Sequence, residues 1–267
     1  MKRAKPGATS QLRDFNASPR MVLLSGLGLI LGGAGAVLAW VLLRLIYGCT
    51  NLFYYQRLSW EYVSPAQNHL HWLAVLVPVA GGLIVGVMAR YGSEKIRGHG
   101  IPEALESILV NGAKISPRVA LFKPLGSAVA IGTGGPFGAE GPIIMTAGSV
   151  GSLFAQYFHL SDAERSTLLV AGAAAGMAGV FSTPLAATLL AVELLLFEWR
   201  PRSFVPVAVA AATAGVLRQF FISQDPLFPM PLSMHRVEPV TLLAALLVGI
   251  AGGALALPVR RWLRAVS

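Results

Sequence analysis

The residue best placed to do chemistry in this chain is Glu140, a single carboxylate inside a long apolar region. It lies in the break Gly132–Pro142, whose glycines let the backbone bend and expose its N–H groups. Pro142 suits the start of a helix, because an N–H at that position would lack an intrahelical partner in any case. In a membrane, irregular backbone persists only where protein or water surrounds it, and an ionisable residue there is a functional candidate. The segment therefore predicts a helix N-terminus aimed at an anion, with Glu140 as a competitor for the same position.

Two more breaks interrupt the apolar sequence. Gly98–Glu103 reads Gly-His-Gly-Ile-Pro-Glu, with Pro102 at the start of another predicted helix. Glu103 falls in the first turn of that helix, where a carboxylate is favoured as a cap and by the helix dipole. Phe181–Ala186 reads Phe-Ser-Thr-Pro-Leu-Ala and interrupts the chain again. The helices on either side of these breaks must bring them together.

The composition indicates that those helices cross a membrane more than once. Of the 267 residues, 55% are hydrophobic and 12% are charged, and the mean hydropathy is +0.65. Met21–Leu45 predicts a strong spanning helix, residues 46–69 an external segment, and Leu70–Arg90 a second span. Shorter apolar runs follow, and Val240–Leu263 predicts the last helix. Frequent Gly and Pro favour tilted and broken helices, so the predicted fold class is an all-α polytopic membrane protein.

The distribution of charge predicts a topology. The net charge is +9, and basic residues cluster before the first span, after the second span and at the end of the chain. This pattern predicts a cytoplasmic tail over residues 1–20 and a membrane domain over residues 21–267. Such clusters suit lipid headgroups, and no nucleic-acid partner is predicted. The single cysteine, Cys49, excludes an internal disulfide framework, and the sequence predicts neither a metal nor a cofactor.

The order and spacing of the three breaks resemble the CLC family of chloride channels and anion/proton exchangers. Gly98–Glu103 is similar to the family's GxGIPE segment, Gly138–Pro142 to its G(K/R)EGP segment, and Phe181–Ala186 to a later segment that ends in acidic residues. Leu168–Gly176 also resembles the family's TGAAAG region. The resemblance implies tilted and broken helices arranged as two inverted halves in each subunit of a homodimer. By that pattern the chain holds the first inverted repeat plus the first helix of the second, which implies a fragment or a split gene product.

The resemblance also implies roles at the Glu140 break. Glu140 matches the family's gating glutamate, which as a carboxylate can sit where the anion binds and on protonation can swing away. The backbone at Ala139 and Gly141 would help to bind the anion. Ala139 stands where the family usually has Lys or Arg, and this difference removes a cation from the outer pore entrance.

At the earlier break, the resemblance implies an anion-binding role for His99. This residue stands where chloride-selective members have a serine hydroxyl, and an imidazole can donate one or two N–H groups there. The alternative is a loop histidine turned away from the site. The backbone N–H groups of Gly100 and Ile101 are the stronger candidates for holding the anion.

Two charged residues outside the breaks have two interpretations each. Lys123 matches a family lysine, and it either raises the potential of the pore or forms a structural ion pair. Glu193 and Leu194 match a pair of positions that are both acidic in typical proton-coupled members. Leu194 cannot hold a proton, so Glu193 is either structural or part of a proton pathway.

The expected function is transport of a small anion, most simply chloride, through a pore gated by a glutamate, and not an enzymatic reaction. His99 suggests fluoride or nitrate as alternative anions. Another alternative is a non-conducting half that needs a partner chain. An intramembrane enzyme is disfavoured because the sequence lacks Gly-x-Ser-x-Gly and His-Glu-x-x-His. Channel-like and proton-coupled transport both stay open. The expected setting is a prokaryotic cytoplasmic membrane, with the anion, protons, the lipid bilayer and a second copy of the chain as partners.

Overall fold

The structure, a computed structural model, describes residues 19–93, 96–222 and 239–266. All regular secondary structure within these ranges is helical, which confirms the predicted all-α class. Most of the predicted cytoplasmic tail, residues 1–18, lies outside them. The chain forms two compact units that divide after Leu227, and each is described by itself.

The helices largely follow the order that the hydropathy pattern predicts, and several begin at a proline. They are α1 Pro19–Tyr55, α2 Leu76–Tyr91, α3 Ile101–Leu109, α4 Pro117–Gly132, α5 Glu140–Tyr157, α6 Asp162–Phe181, α7 Pro184–Ala191, α8 Pro201–Phe221 and, in the second unit, α9 Pro239–Val266. Two 3₁₀ turns, Pro65–Gln67 and His71–Val75, precede α2. A π-helical turn, Val192–Leu196, continues α7.

The first helix is longer than the sequence predicts. Its predicted end was Leu45, where polar residues begin, but α1 continues to Tyr55. The polar side chains are accommodated by hydrogen bonds to backbone carbonyls. Arg44 donates to Trp60 O at 2.8 Å, and Asn51 Nδ2 donates to Tyr47 O at 2.9 Å and Glu61 O at 2.8 Å. The predicted external segment therefore loses its first ten positions to the helix.

Helix α6 is the centre of the first unit. Its residues from Thr167 to Val180 are buried, and it packs against α1, α5 and α8. The contact between α5 and α6 brings backbone against backbone. A Cβ on Gly172 would collide with the carbonyl oxygen of Ala147 and lie 3.4 Å from the Cα of Gly151. Small residues at such a seam let helices pack closely, as is common for helices in membranes.

The connection between α3 and α4 is hydrogen-bonded to the C-terminal part of α5 and to the N-terminal part of α6. Ser152 Oγ on α5 donates to Ala113 O at 2.6 Å and accepts from Ile115 N at 3.1 Å. Arg165 on α6 donates to Gly112 O at 2.7 Å. These bonds fix α3 relative to α5 at the end opposite to the N-terminus of α3.

Three helical segments among the described residues are long and apolar enough to span a membrane. They are Pro19–Tyr55, His71–Tyr91 and Pro201–Phe221. Helix α2 exposes most of its large side chains, including Leu83 at 69% and Val87 at 58%. An apolar surface of this kind suits lipid. The shorter helices α3, α5 and α7 carry the residues of the predicted breaks at or just before their first turns.

Candidate functional site

The N-termini of α3 and α5 meet in the interior of the first unit. A Cβ on Gly100, the residue before α3, would lie 2.5 Å from the carbonyl oxygen of Gly141 and 2.9 Å from its carbonyl carbon. A Cβ on Gly141 would in turn collide with the carbonyl oxygen of His99. The first two breaks, which are far apart in sequence, are therefore in backbone contact, and only glycine fits at these two positions.

This meeting point concentrates the positive ends of two helices. The first N–H groups of an α-helix have no intrahelical acceptor, and the aligned peptide dipoles make that end partly positive. Among the predicted site residues, the N–H groups of Ile101 and Gly141 belong to such first turns. The arrangement can therefore hold an anion without a full positive charge in contact with it.

The N-terminus of α5 carries no side-chain cap. Ala139 precedes the helix with φ −76° and ψ −9°, and its side chain has no oxygen that could accept a hydrogen bond from the first N–H groups. Glu140 is half-buried, while Gly141–Ser149 behind it are buried. Within the described residues, no hydrogen bond or ion pair holds the Glu140 carboxylate. The one acidic group at this helix end is therefore not fixed by a partner in the described part of the chain.

The N-terminus of α3, in contrast, is capped. Glu103 Oε2 accepts the backbone N–H of Gly100 at 2.8 Å, which confirms the predicted capping role of Glu103. Gly98 and Gly100 have φ of +84° and +109°, a conformation that L side chains rarely adopt. One of the N–H groups predicted to hold the anion, that of Gly100, is thus already engaged by a carboxylate.

Lys123 is turned onto the same loop. Its side chain is buried on α4, and Nζ donates to Ile96 O at 3.2 Å and to Gly98 O at 2.9 Å. The sequence prediction left a choice between a pore charge and a structural ion pair for this residue. The contacts in the structure are with backbone carbonyls, and they fix the carbonyl side of the loop that leads into α3.

His99 lies at the centre of the contact between the two breaks. Its residue is exposed, and Nδ1 is 2.7 Å from the position that a Cβ on Gly141 would occupy. The ring therefore lies against the first turn of α5. Both interpretations of His99, an anion-binding residue and a loop histidine turned away, stay predictions.

A cavity of about 280 Å³ adjoins the meeting point. It lies between α2, the loop before α3, α4 and the segment before α5. Its lining includes His99 at one end and largely apolar residues elsewhere, among them Val85, Ile131, Phe137 and Pro142. The cavity therefore borders the first two breaks, at Gly98 and His99 on one side and at Gly138 and Pro142 on the other.

Glu193 lies away from these contacts. It is exposed on the π-helical turn Val192–Leu196, which packs against α3 and α6, and Leu194 beside it is half-buried. In the described residues, no hydrogen bond or ion pair involves the Glu193 carboxylate. π-Helical turns are rare and often occur at functional sites. The structure does not bring Glu193 into contact with the first two breaks.

One residue that stabilises the site was not predicted from the sequence. The Tyr54 hydroxyl on α1 donates to Thr133 O at 3.0 Å and so holds the backbone where α4 ends and the Glu140 break begins. The partners are 79 positions apart. A tyrosine in an apolar helix gives no sequence signal for such a contact.

Comparison with known proteins identifies similar chains. The family model described as voltage gated chloride channel matches residues 81–267. A putative chloride channel protein ClcB-like of Ralstonia nicotianae is 30% identical over 195 residues, which is 72% of this chain and 45% of the relative. The H(+)/Cl(−) exchange transporter ClcA of Vibrio vulnificus is 33% identical over 208 residues, which is 72% of this chain and 42% of the relative. The chain thus spans about half the length of the curated relatives it matches.

Solved structures show the same fold. A slow cyanobacterial Cl−/H+ antiporter superimposes with a TM-score of 0.70 at 22% identity, over 90% of this chain and 55% of that chain. A CLC-type fluoride/proton antiporter superimposes with a TM-score of 0.69 at 22% identity, over 90% and 58% of the two chains. At this identity the likeness shows the fold alone.

Proposed function

Because the chain belongs to the voltage-gated chloride channel family, we propose that it forms half of a membrane pore for a small anion, gated by Glu140. The observation that carries the proposal is the contact between the N-termini of α3 and α5, with Glu140 at the one that has no cap. Chloride is the proposed anion. The proposed setting is a bacterial cytoplasmic membrane, where two copies of the complete protein form a dimer.

The proposed binding mode uses groups on both helices. The anion accepts hydrogen bonds from the backbone N–H groups of Ile101 and Gly141 and from a ring N–H of His99. The Glu140 carboxylate competes for the same positive helix end while it is charged. Protonation removes that charge and weakens its hold, so the side chain leaves and the anion enters.

The proposal includes channel-like or weakly coupled movement of protons. Leu194 cannot carry a proton, and Glu193 is the nearest acid in sequence on that segment. Tight exchange is the alternative. Vesicles that hold the complete pore are given an anion gradient without a pH gradient. Anion flux without proton movement supports the channel-like form, whereas protons driven uphill at a fixed ratio establish exchange.

A direct test of the half-pore compares two preparations. The chain is reconstituted in liposomes alone and together with a co-expressed second half, such as one encoded directly downstream, and chloride efflux is measured. We expect efflux only from the combined preparation, because one half supplies only one side of the anion site. Robust, chloride-selective efflux from this chain alone refutes the half-pore.

Fluoride or nitrate is the second candidate for the anion, and His99 is the observation that favours it. An imidazole against Gly141 changes both the size and the donor set of the site. The same liposomes distinguish the candidates when the three anions are compared at equal concentration. Efflux of fluoride or nitrate well above that of chloride would replace chloride as the substrate.

A further inference from the structure

The loop Ile96–Gly100, which carries His99, is held by opposite charges on its two hydrogen-bonding sides. On one side the Lys123 ammonium binds the carbonyl oxygens of Ile96 and Gly98, at 3.2 Å and 2.9 Å. On the other side the Glu103 carboxylate binds the N–H of Gly100 at 2.8 Å. The Lys123 ammonium donates to carbonyl oxygens, and the Glu103 carboxylate accepts from an N–H. The two side chains therefore fix the direction in which the peptide groups of the loop point.

The loop would not keep this shape without support. Gly98 and Gly100 both have positive φ. Glycine loses more conformational entropy than any other residue when its backbone is fixed in one conformation. Hydrogen bonds to charged groups are stronger than those between neutral groups. Lys123 is 1% exposed, so its bonds to the loop are shielded from competing water, and the negative charge of Glu103 is close enough to act on it.

The position of His99 follows from the shape of the loop. His99 lies between the two glycines, and both its carbonyl oxygen and its Nδ1 lie against Gly141. A small rotation of either neighbouring peptide group would move the imidazole relative to the first turn of α5. The ring is exposed and has no packed core around it that could hold it instead.

We propose that Lys123 and Glu103 are positioning residues that hold His99 against the first turn of α5 and thereby set the anion preference of the site. This inference rests on the proposed function. It assigns Lys123 a local role through the loop and not a long-range role through its field. The two roles differ in a measurable way. A field acts on all monovalent anions alike, whereas a displaced donor changes the binding of one anion relative to another.

The first experiment needs no anion binding. The full chain is labelled with ¹⁵N-histidine in lipid nanodiscs in gluconate buffer, and the His99 signals are assigned with His99→Gln. We expect Lys123→Met and Glu103→Gln each to shift the imidazole signals of His99. The matched controls are Lys114→Met and Glu106→Gln, because both residues are exposed and carry the same charges. Unmoved His99 signals in both test variants overturn the positioning role, whether or not the chain binds anions.

The second experiment measures preference. Thermal stabilisation by chloride and by nitrate, measured in nanodiscs that hold this chain together with its co-expressed second half, gives a dissociation constant for each anion. We expect Lys123→Met to change the ratio of the two constants by about tenfold, and Lys123→Arg to restore part of the ratio. Glu103→Gln keeps the inference testable if the buried lysine cannot be replaced, and it should change the ratio in the same direction.

The outcomes separate the inference from the function it rests on. Equal weakening of both anions by Lys123→Met overturns the inference in favour of a field effect. No stabilisation of the parent chain together with its second half by any of chloride, nitrate or fluoride overturns the proposed function and the preference with it. In that case the histidine signals still report whether Lys123 and Glu103 position the loop.

Discussion

The two helix N-termini that meet in the first unit are built in opposite ways. The end of α3 is capped by Glu103, and Lys123 fixes the loop that leads into it. The end of α5 follows Ala139, has no side-chain cap, and carries a carboxylate without a partner in the described residues. Both ends have the same partial positive charge from their backbone. The side chains around them therefore make the end of α3 the scaffold end, and the end of α5 is the exchangeable end of the proposed function.

This difference assigns the two glutamates separate roles. Glu103 and Glu140 both lie in the first turn of a short helix within an apolar region. Glu103 accepts a hydrogen bond from the backbone N–H three residues before it, so its carboxylate stabilises the local structure of the helix start. Glu140 forms no such bond in the described residues, so no capping contact there fixes its side chain. A first-turn acid is a gate candidate only where capping does not already occupy it.

The comparison of the two helix N-termini depends on the contact between them. Gly141→Ala should disrupt this contact. The added Cβ would collide with the carbonyl oxygen of His99 and lie 2.7 Å from its Nδ1. We expect a loss of about 3 kcal/mol in the free energy of unfolding, because backbone cannot move aside cheaply. Denaturant unfolding in detergent, followed by tryptophan fluorescence, measures it. Gly138→Ala is the control, since its Cβ would find no atom closer than 4.0 Å. Equal stability of the two variants contradicts the contact.

Removing the charge of Glu140 tests the exchangeable end. We expect Glu140→Gln to bind chloride about tenfold more tightly at neutral pH, because the competing carboxylate is gone. In the complete pore, chloride flux should lose most of its dependence on pH between about pH 4 and pH 8. Glu106→Gln, on the exposed face of α3, controls for the loss of one negative charge. A flux profile for Glu140→Gln that matches the parent across this range would remove Glu140 as the gate.

Removing the cap of α3 tests the scaffold end. Glu103→Ala leaves the N–H of Gly100 without its carboxylate, and we expect a loss of about 1 kcal/mol in the free energy of unfolding. The exposed Glu106 on the same helix should tolerate the same change within about 0.5 kcal/mol. Thermal and denaturant unfolding of the two variants provide the comparison. A larger loss for the Glu106 variant would show that the cap does not stabilise this helix end.

Adding a cation beside the exchangeable end should have the smallest effect. Ala139→Lys places an ammonium next to Glu140 without filling the site. We expect about threefold faster chloride entry at low salt, with the gain lost at high ionic strength because exposed charges are screened. Stopped-flow flux at two salt concentrations measures it, and Ala139→Gln controls for side-chain length. A gain that persists at high salt would indicate a direct contact with the anion.

The sequence carried the parts of this site that depend on local rules. The Gly and Pro positions located all three breaks, which precede α3, α5 and α7, and the acid in the first turn of α3 was correctly predicted to be a cap. The length of α1 was underestimated, because the polar and aromatic residues after Leu45 predicted an external segment, whereas Arg44 and Asn51 bind the loop that follows a longer helix. Their carbonyl partners in the following loop could not be inferred from hydropathy. The partners of Lys123 lie 25 and 27 positions away, and no local pattern specifies bonds of that kind.

The backbone seam between α5 and α6 has a consequence for how this sequence can diverge. At Gly151 and Gly172 even a methyl group would meet a carbonyl oxygen, so each substitution needs a simultaneous shift of both helices. Neutral sequence change proceeds by single substitutions, and at these two glycines no single substitution fits without a shift of the backbone. On α2, by contrast, an added Cβ at Gly82 or Gly86 would meet nothing within 4 Å. A library of all single substitutions should therefore recover tolerated changes along α2 and almost none at Gly151 and Gly172, so these seam positions should diverge more slowly than those on α2.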